Sequence, residues 1–150
     1  MSSGNPVLTL ISYELAASAL AAGVAHAKEL GVRLSFAVVD SAGHLVAAAR
    51  MDGAPFITTE VARGKAFASA ATGGQPGAAL AQRFNENPMV WGNAGPLGYG
   101  AQLLPAAGAF PIFKDGVLLG AMGASGAPSA IDEKVVLHAI ESIGASDRAA

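Results

Sequence analysis

The sequence predicts a single α+β domain built around an antiparallel sheet. Two pairs of short apolar segments, residues 34–40 with 44–51 and 110–113 with 117–123, are each joined by a glycine-bearing turn and read as hairpins. Stretches of helical spacing stand before, between and after them, giving the order helix, hairpin, helices, hairpin, helix. Two hairpins build an antiparallel sheet, whereas a doubly wound parallel sheet needs strands and helices in strict alternation. The length, 150 residues, is that of one domain, and no internal repeat or low-complexity run divides it. The domain spans residues 1–150, with an ordered core at about 9–144.

The first helix follows Thr9 or Ser12, either of which can cap it. Leu15, Ala16, Ala19, Leu20, Gly23, Ala27 and Leu30 recur at helical spacing, and Gly31 stops the run. In the first hairpin, Ser41-Ala42-Gly43 turns the chain and His44 begins its return. Asp52-Gly53-Ala54-Pro55 breaks the second strand. Thr58 or Thr59 is placed to cap a helix reaching about Thr72, which Gly73-Gly74-Gln75-Pro76 ends. A short helix is expected at about 77–84. Residues 85–108 hold three of the eight prolines and five of the nineteen glycines and show no sustained period, so they read as a long loop of functional or interface use. Lys114-Asp115-Gly116 turns the second hairpin. Ser129 with Asp132 resembles a capping box opening the last helix, whose apolar face is Val135, Val136, Ala139, Ile140 and Ile143.

Composition narrows the function. Only 13% of residues are charged and 52% are apolar, against about 25% charged in an average domain. Small residues packed inside account for part of this, and a self-associating face for the rest, so a homo-oligomer is expected. Net charge is −2 and no Lys/Arg cluster occurs, which argues against nucleic acid as a partner. No apolar run reaches the length of a membrane span. Met1 to Pro6 lacks the basic and apolar regions of a secretory signal, so the expected location is cytoplasmic. Without cysteine there is no thiolate chemistry, disulfide or iron–sulfur site.

Three stretches in order carry a family resemblance: Ala37 to Val46 continuing through Ala49-Arg50-Met51-Asp52-Gly53-Ala54-Pro55; Lys65-Ala66; and Asp115 to Gly126 followed by Asp132. Together they resemble the GlcG/HbpS-like family, the haem-degrading domain related to the C-terminal domain of PduO-type corrinoid adenosyltransferases. The resemblance implies a profilin- or roadblock-like sandwich with about five strands, and an oligomer. Some members bind haem or a corrinoid-related partner, and many belong with catabolic genes. The sequence departs from that pattern at Phe84 to Asn93, at Pro105 to Pro111, and at Ala127, where a second glycine is frequent. A differently lined loop points to a different ligand.

The candidate site residues follow from chemistry and position. Arg50 and Asp52 bracket Met51 at a strand end, and alternation turns both the same way. A guanidinium beside a carboxylate suits a carboxylate-bearing ligand, and an exposed ion pair is the plainer reading. Lys65 lies among small residues, where an amine can sit low and serve as a base or anion clamp, or else snorkel at a helix contact. Lys65 and Asp52 are thus candidate catalytic groups. Arg50, His44, Glu60, Trp91 and Tyr99 are candidate ligand contacts, although Glu60 with Arg63 also reads as a surface pair. Asn85, Asn87, Asn93 and Gln102 add polar groups in the long loop. His26 reads as a solvated helix-end residue and His138 as a packed or interface one. No two histidines have the spacing of a metal pair, so no metal site is expected. Ser125 is not in a nucleophile elbow, and the glycines at 120, 123 and 126 do not form a phosphate loop. Three functions remain: a small-ligand-binding protein, with haem or a carboxylate-bearing catabolite as ligand; a cofactor-free isomerase, lyase or hydrolase using Lys65 and Arg50; and an oligomeric scaffold.

Overall fold

A computed structural model describes residues 7–98 and 101–150. Helix α1, Tyr13–Glu29, is capped by Ser12, whose Oγ accepts the Leu15 N–H at 3.1 Å. Gly31, at φ 71°, turns the chain out of the helix in the left-handed region that glycine enters without strain. Strands β1, Ser35–Asp40, and β2, Leu45–Arg50, form the first hairpin. Asp40 organises its turn: Oδ1 accepts the backbone N–H groups of Ala42 at 2.9 Å and His44 at 3.0 Å. Helix α2 spans Ile57–Ala71 and α3 Gly77–Glu86. Strands β3, Ala109–Lys114, and β4, Val117–Ser125, form the second hairpin, and α5, Ser129–Ser142, closes the fold.

The sheet runs β2-β1-β4-β3, all antiparallel, so the two hairpins meet through β1 and β4. Among the described residues it has four strands where the family resemblance implied about five. Alternation sorts its residues into two layers. Phe36, Val38, Ile112 and Met122 join the main core with Ala16, Ala19 and Ala27 of α1 and Val135, Val136 and Ile140 of α5. Val39 and Ala121 pack with Ala66 and Ala70 of α2. Because both faces are covered, β1 is buried along its whole length. Small residues set the spacing. A Cβ on Gly123 would collide with the Ala62 carbonyl oxygen, so glycine lets α2 lie directly on β4.

Three local expectations are corrected. Residues 85–108 are not all loop: Pro88–Ala94 forms α4 and Gly95–Leu97 a 3₁₀ turn. Proline at the first helical position favours that start, but α4 buries no residue and so leaves no apolar period to read. Thr58 and Thr59 do not cap α2. Thr58 Oγ1 donates to the Pro55 carbonyl at 2.6 Å, inside the turn that leads into the helix. Ser129 is likewise already helical, and the residue before it is Pro128. Asp132 instead accepts the Ala127 N–H on Oδ1 at 3.2 Å.

Candidate functional site

A cleft of about 540 Å³ opens where the end of α1 meets the end of β2. Val24 and Lys28, one helical turn apart, come from α1. Gly31, Val32 and Arg33 come from the segment leading into β1, and Ala49, Arg50, Met51 and Asp52 from the end of β2. Hairpin register brings the two segments together. Ser35 pairs with Arg50, and the Met51 N–H donates to the Leu34 carbonyl at 3.0 Å, so pairing continues past the strand end and draws Arg33 alongside.

Val24, Val32, Ala49 and Met51 give the cleft apolar walls, while Lys28, Arg33, Arg50 and Asp52 are exposed and carry its charge. Alternation turns Arg50 and Asp52 to the α2 side of the edge strand β2, opposite Ala49 and Met51, so they stand at the rim. The lining residues include three cations and one carboxylate. The partial negative charge of a helix C-terminus, about half a unit, does not reverse that balance. The ion pairs among the described residues are His26–Glu29, His44–Asp40 and Lys65–Asp132. Arg50 and Asp52 therefore do not pair with each other, and both remain available to a ligand. Next to the cleft, the start of β1 is fixed to α2 by a hydroxyl chain: Thr59 donates to Ser35 Oγ at 3.2 Å, and Ser35 and Thr58 share a 2.7 Å hydrogen bond. Since Thr58 gives its proton to Pro55, Ser35 is the donor of that pair.

The expected site residues divide. Arg50 and Asp52 share the cleft. His44 stands at the other end of β2, about 20 Å away by strand rise. Its side chain is 65% exposed, with Nδ1 3.9 Å from Asp40 Oδ2. Lys65 lies across β1 from the cleft. Its Nζ donates to the Ala124 carbonyl at 3.0 Å and lies 3.5 Å from Asp132 Oδ2, with both side chains buried. Burial raises the Asp132 carboxyl above its ordinary range, while Lys65 and the Ala127 N–H pull it back. Gly108, at φ 123°, leaves room for the amine: a Cβ there would stand 2.7 Å from Nζ. Lys65 thus ties α2 to the end of β4 and the start of α5.

Glu60 is exposed on α2 and is not paired with Arg63. Trp91 is half-buried on α4, and the Asn93 amide bonds the Met89 carbonyl of the same helix at 2.7 Å. Tyr99 lies outside the described residues. His26 and His138 stack at 4.1 Å between α1 and α5. Among the described residues no group of three or more His, Asp or Glu could hold a metal ion, and no helix is long and apolar enough to cross a membrane. Sequence reasoning missed Lys28 and Arg33. The signal was present: Arg33 precedes β1 by two residues, and counting the hairpin register on from the Ser35–Arg50 pair sets it opposite Asp52.

Fold and cleft define a small α+β domain with an open, cation-rimmed recess at one sheet edge. The chain belongs to the HbpS-like family: the family model described as haem degrading protein HbpS-like matches residues 11–141. It is 32% identical over 116 residues to protein GlcG of Escherichia coli strain K12, covering 77% of this chain and 81% of GlcG. Among solved structures, the PduOC:haem complex superposes with a TM-score of 0.82 at 23% identity, covering 93% of this chain and 99% of PduOC, a likeness of fold. HbpS superposes at 0.80 with 29% identity, covering 95% and 96%. A double mutant of Streptomyces reticuli HbpS does so at 0.80 with 28% identity, covering 95% and 92%.

Proposed function

We propose that this chain is a small-ligand-binding protein whose cleft takes a carboxylate on an apolar body, with Arg50 as the anion clamp. The carrying observation is the cleft itself, whose apolar walls from α1 and β2 rise to a rim with more cations than carboxylates. A guanidinium keeps its charge and offers a planar fork that matches a carboxylate. The low charged fraction, and exposed apolar residues such as Phe56 at 77% and Met89 at 77%, support a homo-oligomer as the working form.

Haem meets this cleft only in part. Its propionates suit the cationic rim, but its iron needs an axial His, Cys, Met or Tyr. The cleft-lining residues include no His, Cys or Tyr, and the Met51 sulfur already accepts the Leu34 N–H at 3.4 Å. The cleft therefore does not fit iron coordination, and an organic carboxylate is the better match. Nor does the cleft combine Lys65 with Arg50, the pairing on which an acid–base enzyme reading rested.

Calorimetric titration with hexanoate tests the proposal. Wild type is expected to bind, and Arg50→Gln to bind about tenfold or more weakly, the scale of one lost charged contact of roughly 1.5–3 kcal/mol. Equal affinities would refute the role of Arg50. A hemin titration giving the spectrum of a protein-ligated iron that Met51→Leu abolishes would overturn this reading of the cleft.

A further inference from the structure

We propose that the ligand carries two carboxylates, and that Arg33 is the specificity-determining residue that holds the second. This rests on the reading of the cleft as the ligand site and extends it. Arg50 is paired directly with Ser35, and the same register carried past Leu34 and Met51 sets Arg33 opposite Asp52, with Arg50 as its diagonal neighbour across the hairpin. Such neighbours stand about 7–8 Å apart at the backbone. Two guanidiniums rooted at that spacing, with Lys28 of α1 as a third cation and Asp52 as the one carboxylate among the lining residues, leave an excess of two positive charges over the cleft. One carboxylate would leave one of these unneutralised, and a short diacid answers both. Each carboxylate can then take a forked pair of hydrogen bonds.

The position of Arg33 depends on Gly53. That residue has φ 86°, and a Cβ there would collide with Arg33 Nη1 and stand 2.9 Å from its Cδ. The Arg33 side chain lies over the bare glycine backbone, and Arg33 is itself one of the residues lining the cleft. A side chain at position 53 would displace the guanidinium without altering any charge.

The test compares two six-carbon probes, adipate and hexanoate, by calorimetric titration at low salt, where screening is weakest. Wild type is expected to bind adipate about tenfold or more tightly than hexanoate, the scale of one added charged contact. Arg33→Gln should bring that ratio to within about twofold. Arg33→Lys, which keeps the charge and loses the fork, should give an intermediate ratio. Gly53→Ala, with its fold checked by circular dichroism, should lower the ratio as well, and in Arg33→Gln should lower it no further. A wild type that binds both probes equally, or an Arg33→Gln protein that keeps the preference, overturns the diacid assignment while leaving the Arg50 clamp standing. Binding of neither probe overturns both.

Discussion

Replacing Lys65 with Met removes the one cation facing a buried carboxylate. The side chains of Lys65 and Asp132 are 7% and 3% exposed and approach to 3.5 Å. At an effective dielectric of about 20, Coulomb attraction at that distance is roughly 5 kcal/mol, set against a desolvation cost of several kcal/mol per ion. The pair is close to neutral as a unit, but breaking it leaves Asp132 buried without its partner, at about 3–5 kcal/mol. For a domain of this size that is a fall in Tm of roughly 6–20 °C. The pH dependence has a definite sign. Burial raises the Asp132 carboxyl in the folded state above its ordinary 3.8, and losing Lys65 removes the largest influence that lowers it. The folded variant therefore holds a proton that the unfolded chain releases as pH rises above 3.8. Its stability falls with rising pH across the window up to the folded-state value, and the deficit against wild type is smallest in acid. Lys65→Met with Asp132→Leu, which removes both charges, should recover most of the loss. Urea denaturation across pH, read by circular dichroism, measures all of this. A Lys65→Met protein within 1 kcal/mol of wild type at neutral pH, or a deficit independent of pH, would refute the account. A folded variant with a tenfold loss of ligand affinity would return the amine to the binding site.

Gly123→Ala should destabilise by about 1–3 kcal/mol in thermal melts, because its Cβ meets the Ala62 carbonyl and α2 must move off the sheet. Ser12→Ala removes the side-chain cap of α1 and should cost about 1 kcal/mol, with Tm about 2–4 °C lower. Light scattering should give a mass that is a multiple of 14.8 kDa, and lysines in place of the exposed Met89 and Val90 should shift it downward. A wild-type monomer at micromolar concentration would contradict the oligomer.

The sequence alone determined the elements whose causes are local. The left-handed turn at Gly31 and a cap at Thr9 or Ser12, which the structure gives to Ser12, bound α1 because a backbone conformation and a single hydrogen bond decide them. The two hairpins are legible because alternating apolar residues and short glycine turns are themselves the signal. α4 was not legible, since a helix without a fully buried residue carries no apolar stripe. At the site, the shared orientation of Arg50 and Asp52 follows from strand alternation alone. Lys65 shows the limit of such reading. Small neighbours on its helix allowed a buried amine as well as a snorkelling one, and did not tell whether it would meet a ligand or Asp132, 67 positions along the chain. The distance from His44 to the cleft, the approach of Arg33 to Arg50, and the meeting of α1 with the end of β2 all depend on strand register and helix packing. These join residues far apart in the chain, and no local pattern records which will meet.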